Sequence, residues 1–146
     1  MGNQSKIRIL VLCTHNANRS QMAEGLLRNL GNDKLEIYSA GIEPTEVSPN
    51  AMKVMREIGV NMSNHYAKHI DEYVGQEFDY VITVCDEAAE RCPFFLGKTT
   101  RLHWPFEDPS KFAGTDDEIL ARFRKVRDAI KEKAAQWLGG LNLLKK

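Results

Sequence analysis

The stretch Ile7 to Leu27, IRILVLCTHNANRSQMAEGLL, constrains this chain more than any other. Ile7 to Leu12 is apolar and rich in β-branched residues, broken only by Arg8, and it runs into Cys13. A continuous run of that kind suits a strand buried on both faces, as in a parallel sheet. Thr14 to Asn18 is polar and cannot continue the strand. From Ser20 onward, Met22, Ala23, Leu26, Leu27 and Leu30 recur at helical spacing, and Gly31-Asn32 supplies a stop. The expectation is strand, loop and helix, with Cys13 as a nucleophile on the floor of the loop.

The rest of the chain repeats the pattern. Leu35 to Ala40 reads as a second strand ended by Gly41, and Pro44 to Pro49 as a loop. Ser48 before Pro49 is an N-cap with proline at the first helical position, and Ala51, Val54, Met55 and Ile58 give that helix an apolar face closed by Gly59. Asn61 to Lys68 reads as loop and Ile70 to Val74 as one short turn. Asp79 to Val84 is a third strand that ends at Cys85, as the first ends at Cys13. Asp86 to Arg91 is a short helix, Thr99 to His103 a fourth strand, and Trp104 to Gly114 a proline-containing loop. Thr115 and Glu118 form a capping box for a long helix striped by Ile119, Phe123, Val126, Ile130, Ala134, Trp137 and Leu138. Gly139-Gly140 is expected to end it, leaving residues 139–146 as a frayed tail.

Alternating strands and helices predict an α/β sandwich with a parallel sheet, one domain over residues 1–146, with right-handed crossovers. In such sheets ligands bind beyond the carboxyl ends of the strands, near a switch point. Both Cys13 and Cys85 fall at predicted carboxyl ends, so two thiols share one edge. Twenty basic and twenty acidic side chains cancel, which leaves no broad positive field for nucleic acid or an anionic membrane. No apolar run approaches the ~20 residues of a membrane span. The first residues, MGNQSKIRI, lack the pattern of a signal peptide, and MGNQSK misses the myristoylation shape at Lys6. The expected compartment is cytoplasmic. There, three cysteines point to catalytic, redox or metal roles before structural disulfides.

The loop reads as an anion trap. A helix starting near Arg19 exposes unpaired N–H groups and the positive end of its dipole, and a loop wrapped ahead of it can aim further N–H groups inward. Arg19 adds a guanidinium suited to bidentate contact with a tetrahedral oxyanion. The same field predicts a depressed pKa and a nucleophilic thiolate at Cys13. Ser20 can donate to the sulfur or cap the helix. A strand-end cysteine alone is usually a small buried hydrophobe, and an arginine in a first turn is usually solvated. Their combination with a serine at this spacing, between strand and helix, is far more specific. His15 reads as a loop residue rather than a ligand.

CTHNANRSQMAEG followed by YSAGIEP resembles the low-molecular-weight tyrosine phosphatase superfamily and, within it, the thioredoxin-coupled arsenate reductases. The likeness runs from about Ile7 through the helix at Trp137. It implies a three-layer sandwich with a four-stranded parallel sheet. It makes Cys13, Thr14, His15, Asn16, Ala17, Asn18 and Arg19 the oxyanion-binding loop. It also assigns arsenate as substrate, thioredoxin as external reductant and partner, no tightly bound cofactor, and a monomer.

Phosphatases of this kind need only the loop cysteine, the arginine and an acid. This chain adds VITVCDEAAERCP, with Cys92 seven positions after Cys85. Taken alone, Cys85 could be a buried strand end, Cys92 an incidental loop thiol, and a metal site would lack a fourth ligand. The resemblance favours redox work, because the reductases carry such a pair at this separation. It implies successive Cys13–Cys85 and Cys85–Cys92 disulfides, formed by thiol–disulfide exchange, with Asp86 to Arg91 unwinding so that Cys92 reaches Cys85. Asp108 before Pro109 could be only a turn; it matches the family's acid and is assigned that role, with Glu107 the weaker candidate.

Some reductases of the group hold potassium beside the loop. The matching positions here are Asn16, Glu24 and Ser39, then Tyr66 and Lys68, the last two departing from the family's oxygen ligands. A lysine there should pair with Glu24 in place of the cation, so no potassium requirement is expected and no metal is assigned. The competing readings are a tyrosine phosphatase and a non-catalytic oxyanion module. Against the first, Ser110 and Lys111 stand where many phosphatases have an aromatic pair, and Cys85 and Cys92 would be idle. Trp104 and Phe106 read as anchors of the acid loop.

Overall fold

A computed structural model describes residues 6–92, Phe95 and residues 97–146. The first five residues, which bear on the signal and myristoylation readings, and Pro93 lie outside the described residues. Four parallel strands form one sheet in the order β2-β1-β3-β4: β1 Ile7–Cys13, β2 Leu35–Gly41, β3 Tyr80–Thr83 and β4 Thr100–His103. The order reverses at β1. The chain first steps to β2 on one side, then crosses to β3 on the other, so the switch point lies between the carboxyl ends of β1 and β3. Leu12 pairs with Thr83 there, which leaves Cys13 and Cys85 just beyond the last rung.

The helices are α1 Arg19–Leu30, α2 Pro49–Glu57, the short α3 Asp86–Glu90 and α4 Asp116–Gly140. Because the β1–β2 and β3–β4 connections run toward opposite edges, right-handed crossovers put α1 and α3 on opposite faces of the sheet. That is the three-layer sandwich expected from the sequence. Ile9 to Leu12 are fully buried and meet Met22, Leu26 and Leu27 of α1 within one continuous core. Ser48 caps α2 with Pro49 at its start, and both arms of the Thr115–Glu118 capping box start α4.

Two expectations change. Leu120 and Arg127 join the buried stripe of α4, with Ile119 and Trp137 only partly buried. Arg127 is tolerated because it donates to the Val54 carbonyl at 2.7 Å and pairs with Glu57 at 3.0 Å, tying α4 to α2. The tail at 139–146 is not frayed. α4 runs through Gly139 and Gly140, and Leu143 is buried. Asn32 donates to the Leu143 carbonyl and Lys145 to the Leu30 carbonyl, each at 2.8 Å, so the tail supplies partners for the turn after α1.

Candidate active site

The loop between β1 and α1 is shaped by the segment that leaves β2. The amides of Ile42, Glu43, Thr45 and Ser48 take the carbonyls of Cys13, Thr14, His15 and Ala17 in turn, at 2.7–3.2 Å. In a planar trans peptide the N–H points opposite to the C=O. With those four carbonyls drawn outward, the following amides of Thr14, His15, Asn16 and Asn18 turn to the inside. The result is a concave row of donors ahead of the α1 N-terminus, which is an anion cradle by construction. The Asn16 N–H donates to Cys13 Sγ at 3.2 Å. Ser20 Oγ lies 2.9 Å from the same sulfur.

Asn16 is the keystone of the loop. Its φ of 51° is left-handed, a conformation asparagine tolerates better than most residues. Its amide nitrogen donates to Ser20 Oγ at 2.8 Å and Ser39 Oγ at 3.0 Å. Its Oδ1 accepts from Gln21 Nε2 at 3.0 Å and from the Lys68 amide at 2.9 Å. Gly41 is required by close approach: a Cβ there would lie 2.8 Å from Thr14 O and 2.9 Å from Asn16 N. From the sequence alone Gly41 reads only as a strand end. Gln21 and His65 join the site only in the fold. His65 Nδ1 meets Gln21 Oε1 at 2.8 Å, and Gln21 Nε2 also donates to the Asn16 and Tyr66 carbonyls at 3.0 Å each. A polar Gln21 on the buried side of an apolar helix was the one available signal. Burial pushes the His65 pKa down against the pull of Glu24, so the imidazole is held neutral.

Ser39 Oγ donates to Glu24 Oε1 at 2.5 Å, and Glu24 pairs with Arg28 at 2.9 Å. The Lys68 ammonium stands 3.8 Å from Glu24 Oε1 and donates to the Tyr66 carbonyl at 2.8 Å. Burial lowers the pKa of Lys68, with the Glu24 carboxylate opposing. The Lys68 side chain thus faces the Glu24 carboxylate from inside the fold.

Arg19 is turned toward the acid loop. Nη1 donates to the Phe106 carbonyl at 3.0 Å, and Nη2 lies 3.5 Å from Asp108 Oδ2. A guanidinium has five donors, so it can hold this loop and still present others to an oxyanion. Asp108 Oδ1 accepts from the Ser110 amide at 3.0 Å and from its hydroxyl at 2.7 Å. Burial works to raise the Asp108 pKa, but the Ser110 hydrogen bonds and the Arg19 charge outweigh it and hold it below the usual value. Trp104 is buried and packs edge-on to Trp137 with centroids 5.4 Å apart, an anchor as expected. His15 is exposed, with Nδ1 3.0 Å from the Glu43 carbonyl.

All three cysteines are free thiols. Cys85 Sγ lies 3.3 Å from Thr14 Oγ1, so the second thiol touches the loop that holds the first. Neighbouring strands are about 4.8 Å apart, and a disulfide spans Cα atoms about 4.4–6.8 Å apart. Cys13 follows Leu12, which pairs with Thr83, so Cys13 and Cys85 stand at the ends of neighbouring strands. Cys92 sits half-buried beyond α3, where burial pushes its thiol pKa up against the Arg101 charge.

A tetrahedral-anion cradle closed by a strand-end cysteine and a first-turn arginine, on this sheet order, defines a class. Residues 8–146 match the low molecular weight phosphotyrosine protein phosphatase family, and the chain belongs to it. Within that family the similarity is to arsenate reductases. The one from Halalkalibacterium halodurans is 48% identical over 122 residues, covering 84% of this chain and 88% of the relative. A solved arsenate reductase in the phosphate-binding state superposes with a TM-score of 0.77 at 30% identity, over 91% of this chain and 97% of that one. The thioredoxin-dependent arsenate reductase of Corynebacterium glutamicum matches with a TM-score of 0.59 at 30% identity, over 88% of this chain and 64% of the other. Among the described residues no helix is long and apolar enough to cross a membrane.

Proposed function

We propose that the protein reduces arsenate to arsenite through a three-thiol relay. The Cys13 thiolate attacks arsenic, an S–As bond forms, and hydroxide leaves as water with a proton passed through Asp108. Cys85 then attacks the Cys13 sulfur. The S–As electron pair stays on arsenic, which falls from the +5 to the +3 state and leaves as arsenite. Cys92 attacks Cys85 of the resulting Cys13–Cys85 disulfide, the Cys85–Cys92 bond forms, and Cys13 departs as thiolate. Thioredoxin reduces the final disulfide, and the enzyme works as a cytoplasmic monomer. Arg19 and the inward amides hold the oxyanion through each step.

The observation that carries this reading is the second thiol at the switch point, with Cys85 Sγ 3.3 Å from the loop threonine. The kinship with arsenate reductases, one of them thioredoxin-dependent, supports it. The test is arsenate-dependent NADPH oxidation coupled through thioredoxin and its reductase. Cys85→Ser and Cys92→Ser should both lose steady-state turnover, while Cys92→Ser still yields about one arsenite per enzyme. Full turnover in either variant refutes the relay. A hydrolytic phosphatase would instead cleave p-nitrophenyl phosphate well with either substitution. Weak cleavage is expected here too, because phosphate and arsenate are nearly isosteric.

Lys68 supplies positive charge beside Glu24, so turnover should be the same in potassium and in sodium at equal ionic strength. A rise specific to potassium would refute that assignment.

A further inference from the structure

The relay requires Cys92 to reach Cys85, yet α3 stands between them, and both of its ends are tied down. Asp86, the residue after Cys85, accepts from His103 Nε2 at 3.0 Å. His103 lies at the carboxyl end of β4 and is itself oriented by Thr83 Oγ1, 2.8 Å from Nδ1. Arg91, the residue before Cys92, donates to Glu43 Oε1 at 3.1 Å. Glu43 belongs to the nucleophile's surroundings: its amide donates to the Thr14 carbonyl and its own carbonyl meets His15. A five-residue helix is far too short to persist by its own hydrogen bonds. Its only fully buried described anchor is Ala88. The two side-chain contacts therefore bear directly on whether the segment is wound or open.

We propose that the Asp86–His103 and Glu43–Arg91 pairs are latches on the redox segment. They position Cys92 away from Cys85 in the reduced enzyme and set how fast the second disulfide exchange occurs. The inference rests on the relay reading of the site. While latched, Cys92 is half-buried. Opening exposes it to water, where the thiolate needed for attack forms more readily. The exchange itself is redox-neutral: Cys92 gives its proton to solvent, the Cys85–Cys92 bond forms, the Cys13–Cys85 bond breaks, and Cys13 leaves with the electron pair. All four latch residues are at least one-third exposed, so each pair biases the opening by a few-fold.

The test uses Glu43→Gln, Asp86→Ala and the double variant. Asp86 also opens α3, where a carboxylate favours the helix N-terminus, so His103→Ala, which leaves α3 itself unchanged, is run beside Asp86→Ala and should give the same gain. Exchange of the Ala89 amide, which bonds to the Cys85 carbonyl, reports unwinding. Rapid acid quench after mixing with arsenate, followed by disulfide mapping, reports the conversion of Cys13–Cys85 to Cys85–Cys92. Each single variant should speed both by about two- to five-fold, and the double variant should approach the product. The gain in Glu43→Gln should vanish near 1 M salt, where the Debye length is about 3 Å and the Glu43–Arg91 charge pair is screened. The swap Glu43→Lys with Arg91→Glu should restore the original rates. Unchanged amide exchange, faster amide exchange without faster conversion, or a gain in Glu43→Gln that survives high salt overturns the latches and leaves the relay standing. Failure to trap any Cys13–Cys85 disulfide overturns the relay and the latches together.

Discussion

Cys13→Ser should reduce arsenate turnover to background while phosphate binding stays within a few-fold of the original protein. The two effects separate because different atoms carry them. The anion is held by amides aimed inward through the bonds from the 42–48 segment to the Cys13, Thr14, His15 and Ala17 carbonyls. The Asn16 side chain locks that arrangement through Ser20, Ser39 and Gln21. None of those contacts needs the sulfur. The sulfur alone supplies the nucleophile and the first electron-donating thiol, and a hydroxyl at this position cannot form the Cys13–Cys85 disulfide. Calorimetric titration with phosphate beside the coupled arsenate assay makes the comparison. Loss of phosphate binding along with activity would mean that Cys13 holds the loop together, contrary to the geometry.

Asp108→Asn should lower kcat/KM for arsenate by about 10²–10⁴-fold, the usual worth of a positioned acid. Its pKa sets the form of the pH dependence. The carboxyl is held below its ordinary value, so it is ionised throughout the neutral range before substrate arrives. The proton it delivers must then come with the substrate: thiolate plus dihydrogen arsenate gives the thiol–arsenate adduct plus water, with Asp108 carrying the proton between oxygens. Two consequences follow for kcat/KM. No limb belonging to Asp108 appears above about pH 4, and the Asn variant keeps the profile's shape at a lower level. A limb in the neutral range that disappears in Asp108→Asn would show that the free enzyme carries the proton itself. The same shift stabilises the fold above the unfolded carboxyl pKa and is lost as pH falls through the folded one. Asp108→Asn should therefore flatten part of the acid destabilisation.

Much of this site was legible in Ile7 to Leu27. A buried strand, a polar loop and an amphipathic helix are local patterns, and their order places a cysteine and an arginine on one anion. The capping signals of Ser48-Pro49 and of Thr115 with Glu118 were equally local, and the structure has both. Lys68 beside Glu24 was also foreseen, because charge complementarity needs only the residue types. The remaining features are non-local. Gly41 reads as a strand stop until the register brings Thr14 and Asn16 against it. Gln21 and His65 look like ordinary polar residues until a 44-residue separation closes into one hydrogen bond. Leu143 reads as tail because its burial depends on where α1 ends.

The sequence by itself determined that a reactive cysteine and an arginine flank a loop between strand and helix, and that two further thiols stand seven residues apart. Spacing and periodicity carry such facts within a single turn or strand. Only the tertiary structure decided which way the loop's amides face, since the 42–48 segment draws the carbonyls outward. It also decided that Arg19 leans on the Asp108 loop and that α3 is fastened at one end to β4 and at the other to the segment after β2. Those outcomes follow from strand order and from the pairing of groups far apart in the chain, which no local pattern encodes.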